Sequence, residues 1–312
     1  MKREAEVVSL RLHPDAEPPR GVGRWSRSLT EGLRVLYRAH RERPFDAVVS
    51  SFHAPPRILP SVPMLGYVHD LRPWGVGEAA YRGITPHLWR AVFRTWDAAL
   101  VPSSHVERDV RRLVPGLSVV CVPEGLDHLR PAAPPTSARS ALLVLGGRAP
   151  HKRAELGLAA AERLCEELEC TCIVVGEPTS PPRSKRVEVH RAPTDEELAK
   201  LLGLAAVAVA PTSYEGFGLA VGEAMAAGVP VVYGRDSMLQ GLVQGGGVPV
   251  EPTVAALADG VRRVLSDRDK YAAEARRLAA AYTWRGTALG VLEVVATIHT
   301  RCRRGRRGYV SG

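Results

Sequence analysis

Two short apolar runs, residues 205–210 and 229–233, are separated by a span that fits one glycine turn and one helix. Strand, turn, helix and strand at that spacing form a crossover, which sets the two strands parallel and requires helices packed on the sheet. The intervening Tyr214-Glu215-Gly216-Phe217-Gly218-Leu219-Ala220-Val221-Gly222-Glu223 puts Glu215 in the turn and Glu223 about two turns into the helix. Backbone N–H groups and the positive end of the helix dipole converge between them, which suits a phosphate, while the carboxylates accept hydrogen bonds from hydroxyls. A sugar joined to a nucleotide combines both needs.

The same grammar runs through the chain. The front half alternates apolar runs at 7–10, 47–50, 64–68, 98–101 and 119–122 with helical patterns at about 24–41 and 104–113. A segment too rich in proline for either element, Arg130-Pro131-Ala132-Ala133-Pro134-Pro135-Thr136-Ser137, then marks a boundary. The alternation restarts at 141–145 and continues with a helix at 154–167, strands at 171–175 and 187–190, a helix at 195–202 and the motif above. Helices at about 254–266 and 269–281 follow, and a last one at 284–300 is placed to cross back onto the front domain. The fold expected is α/β: a first Rossmann-like domain over 1–130, a second over 138–283 and a basic tail over 301–312, the two domains facing each other across a cleft.

A length of 312 residues fits two domains of ordinary size. No apolar run reaches 18 residues and no apolar core follows the charged start, so a soluble, cytoplasmic protein is expected. The five cysteines form no C-x-x-C pair and read as reduced structural thiols rather than metal ligands. The net charge of +9 resembles a nucleic-acid signal until it is located: Arg301, Arg303, Arg304, Arg306 and Arg307 supply five of it. The body is only mildly basic, and no nucleic-acid partner is expected. The tail reads as a solvated, disordered end or, failing that, a weak peripheral contact with the inner face of an anionic membrane.

Further candidates sit at strand ends. Leu145-Gly146-Gly147-Arg148-Ala149-Pro150-His151-Lys152 sets two cations four residues apart after the first strand of the second half, where they can clamp a diphosphate. Arg20-Gly21-Val22-Gly23-Arg24 is a glycine turn before a helix, and Tyr67-Val68-His69-Asp70 ends a front-domain strand. Trp89, Phe93 and Trp96 fall on one helical stripe, read as core. Asp267-Arg268-Asp269 has the D-x-D form of some metal-dependent sugar transferases but lies between two polar helices, where capping explains it better.

Along the chain, the glycine turn Gly21-Val22-Gly23-Arg24, His69-Asp70, Val101-Pro102-Ser103-Ser104, Val122-Pro123-Glu124-Gly125-Leu126-Asp127, the Gly147-Arg148 and His151-Lys152 loop, the Glu215 to Glu223 motif and Thr283-Trp284 fall in the order seen in family 4 retaining glycosyltransferases of GT-B fold, which the chain resembles over nearly its whole length. The resemblance implies transfer of a hexosyl group from a nucleotide-diphosphate sugar, UDP first and GDP second, to an acceptor hydroxyl with retention of configuration. Neither a metal nor a cofactor is implied, the nucleotide sugar being a co-substrate. Glu223 would hold ribose hydroxyls and Glu215 those of the transferred sugar. Arg148 and Lys152 look like the diphosphate clamp, and Gly147, Gly216, Phe217, Gly218 and Leu219 like the cradle. Gly21 and Gly23 look like the front-domain phosphate turn, and His69 like the histidine near the reacting centre. A non-catalytic binding subunit and an epimerase or phosphorylase on the same fold are the rival readings. The acceptor, the oligomeric state and the regiochemistry stay open.

The chain also departs from the pattern. Little sequence separates the first long helix from residues 45–49, which implies a front domain trimmed of strands. Glu124 stands where an asparagine is commoner, and Gly241 where many relatives keep a glutamate.

Overall fold

A computed structural model describes residues 10–12, 29, 47–50, 63–71, 86–129 and 139–307. Gly21, Gly23 and most of the first helical pattern lie outside them. The chain divides into two compact units, one drawn from Met1–Gly125 and Thr283–Gly312, the other from Leu126–Tyr282. The division falls at Gly125, five residues before the segment read as the boundary from its prolines, and the first unit takes in the last helix.

The first unit is a five-stranded parallel sheet: β1 (Leu10–Leu12), β2 (Ala47–Ser50), β3 (Met64–Tyr67), β4 (Ala98–Val101) and β5 (Val119–Cys121). Their spatial order is their chain order. The apolar runs are continuous because both faces are covered, and alternate residues sort onto the two sides. Ala47, Val49, Leu65, Tyr67, Ala98 and Leu100 pack with Leu29 and the C-terminal helix. Met64, Ala99 and Val101 pack with α1 (Pro86–Phe93) and α2 (Ser104–Leu113). Helix α1 ends at Phe93, so Trp96 is not on its stripe; a turn that bonds Trp96 N to Phe93 O (3.1 Å) returns the indole to the core, its ring 4.5 Å from that of Phe93.

The second unit is a six-stranded parallel sheet: β6 (Ala141–Leu145), β7 (Cys172–Val175), β8 (Val187–His190), β9 (Ala205–Ala210), β10 (Val231–Gly234) and β11 (Gly247–Val250). Its spatial order is β11-β10-β9-β6-β7-β8, so the winding reverses between β6 and β9. Helices α3 (Ala154–Glu167), α4 (Asp195–Leu204), α5 (Leu219–Ala226), a short α6 (Gln240–Val243), α7 (Val254–Ser266) and α8 (Arg268–Ala279) complete it. Ala141, Leu143 and Leu145 enter the core on the α5 and α8 face, Leu142 and Val144 the one shared with α3 and α7. A capping box, Thr194 with Glu197, starts α4.

Two expectations are corrected here. Asp267 stands at the N-cap of α8 but its side chain caps nothing; its carboxylate lies 3.6 Å from Lys270 instead. The backbone of α9 (Trp284–Arg307) stays helical through five of the tail arginines, where composition alone points to a disordered end. Cys165 and Cys172 are buried and Cys170 Sγ lies 3.4 Å from Cys165 Sγ. Burial, reinforced by that contact, pushes the Cys170 thiol up to about 12, which keeps it protonated and unreactive at neutral pH. Among the described residues no helix is long and apolar enough to cross a membrane.

Candidate functional site

In an open parallel sheet, loops leaving neighbouring strands on either side of a winding reversal part to opposite faces and leave a crevice at the carboxyl edge. The second unit has its reversal between β6 and β9, and a shallow recess opens there. Leu145 and Gly146 after β6, Val175 at the end of β7, Ala210 and Thr212 after β9, and Gly218, Ala220 and Val221 at the start of α5 line it, with Lys152 and Glu215.

The turn after β9 is built for close approach. Gly218 is the N-cap of α5 with φ 92° and ψ 42°, a left-handed conformation that strains any side chain, and a Cβ there would stand 2.5 Å from Leu239 Cδ2. The first N–H groups of α5 have no intrahelical partner and belong to the helix end that lines the recess. Glu223 is the fifth residue of α5, just over one turn in rather than two.

The loop after β6 is tied to that turn. The carbonyl of buried His151 accepts from Ser213 N (2.8 Å) and Thr212 Oγ1 (3.0 Å). The loop's 3-10 turn, Pro150–Lys152, ends in Arg153, a non-glycine residue at φ 46° and ψ 38° whose guanidinium lies 2.8 Å from Asp236 after β10. Left-handed backbone at such a residue costs on the order of 1–3 kcal/mol and concentrates at functional sites.

The expected residues are sorted into pairs. Lys152 Nζ lies 2.5 Å from Glu215 Oε1, with the two side chains 28% and 15% exposed. A cation assigned to phosphate and a carboxylate assigned to sugar therefore hold each other at the mouth of the recess. Glu223 is buried, its Oε1 2.9 Å from His128 Nε2. Arg148 is 67% exposed, 3.7 Å from Glu177, and does not line the recess. Gly147 stands beside Lys152, where a Cβ would lie 3.4 Å from Lys152 Cγ, and the partly buried Phe217 packs edge-on against Tyr282 at 5.5 Å. In the first unit, His69 Nδ1 lies 3.0 Å from Glu124 Oε1. Around Gly241 no heavy atom lies within 4 Å of a would-be Cβ, so the departure there leaves open space.

Sequence reasoning missed His128, Asp236 and Glu177. The one local signal for His128 was its place directly after Asp127 in the Glu124–Asp127 motif; its partner is 95 positions away. Among the described residues no group of three or more His, Cys, Asp or Glu side chains is arranged to hold a metal ion.

Comparison with known proteins adds family context. Residues 139–267 match the family described as "Glycosyl transferases group 1". A GDP-mannose-dependent alpha-(1-6)-phosphatidylinositol dimannoside mannosyltransferase of Mycobacterium tuberculosis (strain ATCC 25177 / H37Ra) is 31% identical over 52% of this chain and 46% of its own length. A glycogen synthase of Mycobacterium tuberculosis (strain CDC 1551 / Oshkosh) is 28% identical over 79% of this chain and 65% of its own. Among solved structures, a glycosyltransferase from Rickettsia africae ESF-5 superposes with a TM-score of 0.69 at 13% identity, covering 93% of this chain and 97% of that one. The chain thus spans about half the length of the first of these curated relatives. The fold is of the GT-B class, and the matches support the resemblance to the family 4 glycosyltransferases.

Proposed function

From a GT-B chain whose second unit carries a group 1 glycosyl transferase match, we propose a retaining hexosyltransferase that takes its sugar from a nucleotide diphosphate bound in the recess of that unit. The observation that carries the reading is the Lys152–Glu215 pair at the mouth of the switch-point recess.

In the absence of donor, Glu215 balances the Lys152 charge. A diphosphate entering beside the N-terminus of α5 competes for Lys152, and the released carboxylate accepts hydrogen bonds from the hydroxyls of the transferred sugar. As the glycosidic bond breaks, negative charge grows on the leaving diphosphate. Lys152, the first N–H groups of α5 and Arg148, swung from its loose contact with Glu177, stabilise that charge. Glu223, held by His128, presents its carboxylate to the ribose. The leaving phosphate takes the acceptor proton, so the scheme requires neither a protein nucleophile nor a metal. UDP is the first expectation for the base. GDP-mannose is the competing donor, favoured by the name of the 31% identical relative.

Calorimetry with UDP- and GDP-sugars tests the assignment. Wild type is expected to bind one series, and Glu223→Ala and Lys152→Ala to weaken it on the order of 30- to 100-fold, the effect of removing a charge-assisted hydrogen bond of about 2–3 kcal/mol. If neither series binds, or both substitutions leave binding unchanged, the assignment is wrong. Release of nucleoside diphosphate in step with acceptor glycosylation separates transfer from epimerisation and phosphorolysis.

A further inference from the structure

The buried carboxylate of Glu124 plays no part in the scheme above, yet it sits on a histidine. His69 Nδ1 and Glu124 Oε1 are 3.0 Å apart, with side chains 12% and 6% exposed. Both ends of this contact are fixed by the fold of the first unit. His69 follows β3, and its ring lies 4.8 Å from that of Tyr67, whose hydroxyl donates to Val122 O at 2.7 Å. The segment that delivers Glu124 is tied on each side. Val122 N donates to Val101 O (2.8 Å), and Thr287 Oγ1 of α9 donates to Pro123 O (2.7 Å). Gly125 is packed so closely on Trp284 that a Cβ would meet its backbone nitrogen at 2.2 Å. A carboxylate delivered this way is placed with little freedom to leave.

We propose that Glu124 is a positioning residue that fixes the tautomer and ring orientation of His69. An ionised carboxylate only accepts hydrogen bonds, so the Nδ1 contact requires the proton to reside on Nδ1. In the neutral ring the basic nitrogen is then Nε2, and the chemistry His69 offers is that of Nε2 alone. An asparagine or glutamine amide at this position has both a donor and an acceptor and can accommodate either tautomer; a carboxylate cannot. The inference rests on the proposed function only for what His69 is positioned to do, not for the tautomer itself.

The test is a long-range ¹H–¹⁵N correlation spectrum of ¹⁵N-histidine-labelled full-length protein, at a pH where the ring is neutral, with the His69 signals assigned by their loss in His69→Gln. Wild type is expected to carry the proton on Nδ1. Glu124→Met keeps the volume and removes the acceptor, and is expected to move the population toward Nε2–H, whereas Glu124→Gln, whose amide can accept from or donate to Nδ1, is expected to lie between the two. In turnover, Glu124→Met is expected to lower kcat on the order of 10- to 100-fold, by analogy with losing the partner that orients a metal-bound histidine. Its donor KM should stay within about twofold of wild type. A wild-type proton on Nε2, an unchanged tautomer in Glu124→Met, or a loss expressed in KM with kcat intact each overturns the proposal. If wild type turns over no nucleotide sugar, the proposed function falls, and the spectrum alone decides the role of Glu124.

Discussion

The two sheets are built of the same parallel strands and differ in how the chain winds through them. In the second unit the order β11-β10-β9-β6-β7-β8 reverses between β6 and β9, and the recess lies at that reversal. In the first, β1 to β5 follow chain order without reversal among the described strands. The chemistry follows the winding. The second unit gathers Lys152, Glu215 and the α5 terminus around a concavity, whereas the first offers a histidine and a carboxylate in contact, delivered by the segments that follow β3 and β5. A parallel α/β sheet does not carry a nucleotide site by virtue of its class; it needs the place where its connections part.

This contrast can be broken at several points. All five tryptophans, Trp25, Trp74, Trp89, Trp96 and Trp284, fall in the sequence ranges of the first unit, so indole fluorescence reports that unit while far-ultraviolet dichroism reports both. The largest effect is expected from a stop after Tyr282. It removes Trp284, Ala288, Val291, Val295 and Ile298 from one face of the first sheet, on the order of 10 kcal/mol of apolar burial at roughly 1.5–3 kcal/mol per large side chain. The remaining tryptophans should lose their native emission while nucleotide binding persists. Loss of both together would show that the recess depends on the first unit.

Next is Gly125→Ala, which drives a Cβ into the backbone of Trp284 and is expected to destabilise the first unit by about 1–3 kcal/mol in fluorescence-detected denaturation. Gly241→Ala, with open space around it, should lie within about 0.5 kcal/mol of wild type and serves as the control in the second unit. Equal effects would mean the packing around Gly125 is not what holds that loop. His128→Ala should cost about tenfold, or ~1.4 kcal/mol, in nucleotide affinity by leaving the Glu223 carboxylate unguided, with smaller loss for His128→Gln. A nucleotide affinity untouched by either would remove His128 from the site.

The smallest expected effect is on the acid limb. The Arg262 hydrogen bond holds Glu167 below the usual carboxylate range, the Thr194 backbone does so for Glu197 and Arg277 for Glu274, all in the second unit. Depressed carboxylates add stability at pH above their unfolded value of about 4.3 and lose it as pH falls through their lower folded values. Dichroism should therefore register loosening below about pH 4 before tryptophan emission does; the reverse order would place the acid-sensitive contacts in the first unit.

Much of the second unit is legible in the sequence because its strands are apolar on both faces and stand out between helices of 3.6 period. What escapes has particular causes. Strand β11 contains Pro249, which argues against a central strand; it is tolerated because β11 is the edge of the sheet. The spacing of Trp89, Phe93 and Trp96 imitates one helix face, but a turn rather than a helix carries the chain to Trp96. Lys152 and Glu215 each stand out in the sequence, yet their pairing across 63 positions is a property of the reversal and not of any local pattern. The same holds for His128 with Glu223 and for Glu124 with His69, where a residue type is visible and its partner is not.

The C-terminal helix gives the chain an order of assembly. Residues of α9 complete a core begun at Leu29, Ala47 and Val49, so the first unit cannot close until the chain has been synthesised through Ile298. The second unit is one continuous stretch, Leu126–Tyr282, and is finished earlier. Domains generally fold as units in the order they emerge. Here the unit whose strands are translated first is the later to close, one face of its sheet uncovered until α9 arrives.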